Sequence, residues 1–302
     1  MSEEKSLEIL NRFSYIGMII ALPFITMSFL AYALLSLRHG HAKSLLCYLA
    51  SFFGVYLLYV VISYVPDRQH VPPSLCISLV LLLIYFIFAQ FFWMNVLCFD
   101  GWKHMGDASG YWEPPTIEKQ LRFWLYSAYA WGMPLFLALL IFAISKAAPP
   151  KVWYNPGLDD DNCWLNDGVP IFIFLYLPLT VTIIVDIILL VVIGRRLKEN
   201  EEVRGNKKKK KYRFIAHIQI FTVLFFIWLM EIITGVIIWA DGVAPDGYWY
   251  FMEVFNALTG IITFAICIFK KTLCMLLQRR FHEIRRGWRK KYSMSSPRRG
   301  NA

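Results

Sequence analysis

"LCISLVLLLIYFIFAQFFWMNVLCF", residues 75 to 99, runs for 25 residues without one formal charge. A helix rises about 1.5 Å per residue and the hydrocarbon layer of a bilayer is about 30 Å thick, so about 20 apolar residues suffice to cross it. Polar members are few here (Ser78, Gln90, Asn95) and recur at no period that would leave a watery face. A helix apolar on every side has to be enclosed by protein or by lipid. Alternation at period two, the mark of a barrel strand, is missing. Helices are then the remaining way to satisfy backbone groups in lipid.

The same pattern recurs along the chain. Seven stretches are predicted as spanning helices: Ser14–Leu37, Leu45–Val65, Leu75–Phe99, Phe123–Ile144, Pro170–Gly194, Phe214–Ala240 and Tyr248–Phe269. Apolar residues make up 58% of the chain and charged residues 17%, against about 45–50% and about 25% in an ordinary globular domain. One aqueous core cannot hide that excess. The expected fold class is all-α: a seven-transmembrane helix bundle over residues 14–269. A short extracellular N-terminus, residues 1–13, precedes it. A basic cytoplasmic tail, residues 270–302, follows and carries an amphipathic membrane-surface helix. The first span is expected to serve as its own insertion signal.

Sidedness follows from lysine and arginine. The connections 38–44, 100–122 and 195–213, together with the tail, hold 26 of the 31 such residues; the opposite set holds 5. The rich side is the cytoplasmic one, which predicts a multi-pass protein of the plasma membrane with its N-terminus outside. The net charge of +10 therefore belongs to one face. It points to anionic inner-leaflet lipids and acidic partners, not to nucleic acid.

"LDDDNCWLND", residues 158–167, then falls outside, with four aspartates around Cys163. That compartment is oxidising. Cys47, Cys98 and Cys267 lie within spans or near their inner ends and Cys274 lies in the tail, which leaves Cys76, at the outer end of the third span. A Cys76–Cys163 disulfide is the expectation, and two free thiols are the alternative. The bond would draw an acidic loop over the mouth of the bundle.

Three acids fall inside predicted spans: Asp186, Glu231 and Glu253. A carboxylate at membrane depth is costly and normally faces the bundle interior with a partner. They are candidates for an intramembrane polar network that lines a cavity or couples to helix movement. The alternative is a hydrogen-bonded structural acid, and for Glu253 an interfacial position. Pro23, Pro134 and Pro178 interrupt spans and fit packing kinks. Gly235 and Gly260 permit close helix approach or bending. In the tail, Leu273, Leu277, Phe281, Ile284 and Trp288 mark one helix face amid arginines, and Cys274 beside it is a candidate lipidation site.

No paired metal spacing, phosphate-cradling loop or nucleophile elbow is present, so neither an enzyme nor a cofactor or metal site is expected. The third span ends in "CFDGW" (98–102), without an acid-Arg-Tyr triplet, and the seventh carries no Asn-Pro-x-x-Tyr. Other strings carry a resemblance: "LRHGHAKSLLCY" (37–48), "FFWMNVLCFDGW" (91–102), "YAWGMP" (129–134), "WLMEIITG" (228–235), and "NALTG" (256–260) followed by "FKK" (269–271). In their order along the chain they resemble the secretin-like superfamily of G-protein-coupled receptors, and within it the insect Methuselah-type receptors. Leu97 stands where many secretin-like receptors have an acid, and Thr259 where a glutamine often precedes the seventh-span glycine. The large ectodomain usual in Methuselah-type receptors is not among these residues.

The resemblance implies a receptor for an extracellular ligand that engages a heterotrimeric G protein. Candidate contacts are Arg195, Arg196, Lys211 and Arg213, beside the "RGNKKKKKYR" run (204–213). A receptor oligomer is a further expected partnership. Two rival classes remain: a transporter or channel using Asp186 and Glu231 as an ion site, and a non-signalling scaffold or decoy paired with full-length receptors.

Overall fold

The computed structural model describes residues 2–35, 40–64, 72–106, 116–149, 152–158, 164–166, 168–203 and 248–268. It also describes short helical stretches between residues 218 and 237 and single helical positions in the tail, at Gln278, His282, Arg285 and Arg286. Every regular element among them is helical. They are α1 (Ser2–Leu35), α2 (Gly40–Tyr64), α3 (Pro73–Gly106), α4 (Thr116–Ala147), the short α5 (Val169–Ile171), a π-helical segment Phe172–Tyr176, α6 (Leu177–Val203) and α7 (Tyr248–Ile268).

Five of these stretches are long and apolar enough to cross a membrane: Gly17–Leu34, Lys43–Ile62, Ser74–Lys103, Gln120–Ala147 and Val169–Arg196. Of the two other expected spans, 214–240 is described in short helical stretches alone, with an apolar stretch Phe221–Met230. The remaining one is helical as α7, with an apolar stretch Leu258–Ile268. The helices outrun the stretches predicted from hydropathy. α1 takes in residues 2–13 as its first turns. α3 continues past Phe99 to Gly106, so Asp100 and Trp102 are helical rather than loop residues. Charge ends a hydropathy run, but only a lost backbone partner ends a helix.

α3 packs on α2, α4 and α6, while α1 packs on α2 and α7. Covered on three sides, α3 has almost no surface left between Leu83 and Cys98: Ile84, Phe88, Trp93, Met94 and Leu97 are fully enclosed. That explains Leu97, since an acid there would need a partner that a sealed apolar site does not supply. The outer faces are the reverse. Trp124, Leu125, Leu135, Phe136 and Leu139 on α4 are exposed, as are Val181, Ile184 and Ile188 on α6. Apolar surface on this scale is stable against hydrocarbon, not against water.

α1 and α7 meet backbone to backbone at Gly260, where a Cβ would stand 2.6 Å from the Ala21 Cβ and 3.1 Å from its Cα. The Phe24 and Phe264 rings pack edge to face at 5.4 Å one turn further on. The Tyr32 hydroxyl donates to the Cys267 carbonyl at 3.3 Å.

The π-helical segment has a local cause. Pro178 has no N–H to give the Phe174 carbonyl four residues back, so the hydrogen-bond register slips. The Leu177 N–H bonds the Phe172 carbonyl five residues back, and the Thr180 hydroxyl caps the Tyr176 carbonyl at 2.7 Å.

Candidate functional site

At the end of the bundle where α4 finishes, the chain turns back over the helices. The Asn155 amide donates to the Ala148 and Pro149 carbonyls at 3.3 and 3.2 Å, and its Oδ1 accepts the Gly157 N–H at 2.9 Å. Gly157 has φ +75°, and a Cβ there would run into the Asn166 side chain. Only glycine holds this bend without strain. The Ser145 hydroxyl both accepts the Leu158 N–H at 2.9 Å and donates to its carbonyl at 3.3 Å. Leu158 and Leu165, enclosed to 0% and 1% exposure, join the same core as α3. This loop is therefore a seated plug rather than an exposed strap. Cys76, near the start of α3, is disulfide-bonded; Cys163 lies outside the described residues.

Deeper in the bundle, the sequence-predicted acid Asp186 of α6 is wholly buried. Asn95 of α3 donates through Nδ2 to Asp186 Oδ1 at 3.2 Å. The Tyr129 hydroxyl of α4 donates to Asn95 Oδ1 at 3.4 Å. One relay thus ties three helices. The Cys98 thiol adjoins the same carboxylate. Asp186 Oδ2 and Trp93 Nε1 have no hydrogen-bond partner. Among the described residues no three metal-ligating side chains converge.

At the basic end, the Arg196 guanidinium of α6 lies over the Trp102 ring of α3, 4.9 Å from its centroid. Phe99 packs on Trp102 at 5.4 Å, and Tyr126 of α4 packs on Phe99 at 6.2 Å. The Tyr126 hydroxyl donates to Asp100, itself buried, at 3.5 Å. Lys43 of α2 stands over Phe123 of α4 at 5.5 Å. Arg195, one residue before Arg196, is exposed.

The remaining predicted residues divide simply. Glu231, Lys211, Arg213 and Cys274 lie outside the described residues, and Glu253 is helical in α7 but its side chain is not among those described. The predicted Asp186–Glu231–Glu253 set is therefore seen through Asp186 alone, with Asn95 and Tyr129 as its companions. The sequence marks Asn95 as one of few polar members of its span but gives it no role, and Tyr129 does not stand out at all, because an asparagine or tyrosine in a span costs little.

Spanning helices packed around one buried central helix, a plug at one mouth and a cationic rim at the other describe a multi-pass membrane protein. The model of the 7 transmembrane receptor (Secretin family) matches residues 7–263, and the chain belongs to that family. It is similar to the G-protein coupled receptor Mth2 of Drosophila yakuba, with 23% identity over 97% of this chain and 55% of that protein. The Probable G-protein coupled receptor Mth-like 10 of Drosophila melanogaster is 24% identical over 97% of this chain and 52% of its own length. An Adhesion G-protein coupled receptor G6 of Danio rerio matches 90% of this chain at 21% identity, and 22% of its own length. The chain spans about half the length of the Methuselah-type relatives it matches.

Proposed function

We propose that the chain is a seven-helix receptor of the plasma membrane, with its N-terminus outside and its basic tail inside, that passes an extracellular signal to a heterotrimeric G protein. The family match across residues 7–263 carries this reading. The charge asymmetry supports its orientation, and the cationic rim formed by Arg195 and Arg196 supports its partner. An extracellular ligand would favour one of two helix arrangements, and the ends of α3 and α6 at the cationic rim would bear the contact with the G protein. In phospholipid nanodiscs the full chain is expected to accelerate guanine-nucleotide exchange on at least one class of heterotrimer, relative to empty discs. Reversing Arg195, Arg196, Lys211 and Arg213 to glutamate is expected to abolish that acceleration by turning attraction into repulsion. Equal exchange from the reversed chain would defeat the assignment of these contacts. No exchange on any heterotrimer class would defeat the transducing role.

The disulfide of Cys76 is proposed to run to Cys163, which anchors the acidic loop to α3 outside the membrane. Peptide mapping without reductant is expected to recover both cysteines in one linked fragment. Recovery of Cys163 as an alkylated thiol would refute the pairing.

A further inference from the structure

Arg196 differs from the other cations of the basic rim. Its guanidinium lies over the Trp102 ring, 4.9 Å from the centroid, and it is half-buried where Arg195, Lys103 and Lys198 are exposed. Among the described residues the one ion pair is Glu118–Arg122, within α4; no carboxylate neutralises Arg196. Among the described residues no side chain or carbonyl takes a hydrogen bond from it. Phe99 packs against the Trp102 ring and Tyr126 packs against Phe99 in turn, so the platform sits in a chain of helix-borne aromatics. A guanidinium held over a ring keeps its N–H donors for carboxylate or phosphate oxygens. Stacking also removes side-chain freedom before any ligand arrives, which lowers the cost of binding.

We propose that Trp102 and Arg196 form a built anion site at the basic end of α3 and α6, and that its occupant is the headgroup of an anionic phospholipid. Its depth decides the occupant. Val169–Arg196 is itself one of the membrane-crossing stretches, and Ser74–Lys103 is another, so the pair ends both spans at the height of lipid phosphates. The exposed Lys103, Arg195 and Lys198 surround it with positive potential that concentrates anionic lipid. The inner-leaflet source of that lipid rests on the orientation proposed above. The binding itself does not.

The test is a titration of the full chain in detergent micelles with short-chain phosphatidylserine, read by native mass spectrometry, with phosphatidylcholine as the zwitterionic control. Trp102→Leu removes no charge. It is nevertheless expected to weaken phosphatidylserine binding about two- to fivefold, the effect of losing an aromatic platform at a partly exposed site. Trp102→Phe, which keeps a ring face, is expected to bind like the unaltered chain. Arg196→Gln is expected to lose more than Arg195→Gln, although both remove one positive charge. If Trp102→Leu folds poorly, Trp102→Met and the two glutamine variants decide the question. Equal binding by Trp102→Leu and the unaltered chain, or equal losses from the two glutamine variants, overturns the proposal and leaves diffuse attraction to the basic surface. Displacement of the lipid by inorganic phosphate overturns the lipid assignment in favour of a free anion. Antibody access to residues 204–213 on intact cells is a separate measurement: reactivity from the medium refutes the orientation while leaving the titration intact.

Discussion

Gly260→Leu is expected to destabilise the bundle by about 3 kcal/mol, the upper end of the cost of overpacking, and to lower its melting temperature by roughly 5–10 °C. The cause is backbone proximity. A Cβ at position 260 would stand 2.6 Å from the Ala21 Cβ, 3.1 Å from the Ala21 Cα and 3.3 Å from its carbonyl oxygen. The far end of a flexible side chain can swing away from such a clash, but two of these three atoms belong to a helix backbone. α1 would have to leave α7, taking the Phe24–Phe264 contact and the Tyr32–Cys267 hydrogen bond with it. Gly260→Ala is expected to cost less. Ala21→Gly should restore part of that loss, because it removes the shortest contact and leaves the two backbone ones. Thermal unfolding followed by thiol reactivity of the buried Cys267 reads all four chains. A Gly260→Leu chain that melts with the unaltered one would show that α1 and α7 do not meet at this point.

Gly260 illustrates how much of the bundle was legible in advance. A glycine inside an apolar run announces close approach, but nothing in the run names Ala21 as the neighbour. The same holds for Asp186. Its charge in a lipid-length segment marks it, whereas Asn95 and Tyr129 carry no such mark and become visible only once α3, α4 and α6 are placed together. Helix existence was legible because lipid imposes one length and one hydrogen-bond solution. Helix ends were not, since hydropathy reads the bilayer and not the backbone. Hydropathy puts Trp102 in a loop for that reason: Asp100 ends the apolar run, yet α3 absorbs it by burying the carboxylate against Tyr126. The loop over the opposite mouth was legible as acidic. It was not legible as seated, because the seat is made by the Ser145 and Asn155 side chains bonding backbone groups and by the Gly157 bend, and residues of these types mark no site in a sequence.

The relay at Asp186 gives the second large effect, and it separates structure from signalling. Asn95→Leu leaves the Tyr129 hydroxyl without its acceptor and Asp186 Oδ1 without its donor, in a site where Asp186 has 0% exposure and water has no ready access. An unsatisfied buried polar group costs about 1–3 kcal/mol. Hydrogen bonds between spanning helices average less, about 0.6 kcal/mol, because the separated helices find other partners. Here the carboxylate already has one unpartnered oxygen, and losing the Asn95 amide leaves it only the weak Cys98 thiol donor, so the larger range governs and about 2 kcal/mol is expected. Replacing both polar groups with apolar ones of similar shape is near neutral in such settings. The Asn95→Leu, Asp186→Leu double variant is therefore expected to melt closer to the unaltered chain than Asn95→Leu does alone. Simple additivity of the two single losses would show that the side chains do not act as a pair. With stability restored, the double variant also exposes the purpose of the acid. A carboxylate that biases helix movement predicts altered basal nucleotide exchange in a well-folded chain, because the α3–α6 tie now has no polar component to break when the helices shift. A carboxylate retained for packing alone predicts exchange indistinguishable from that of the unaltered chain.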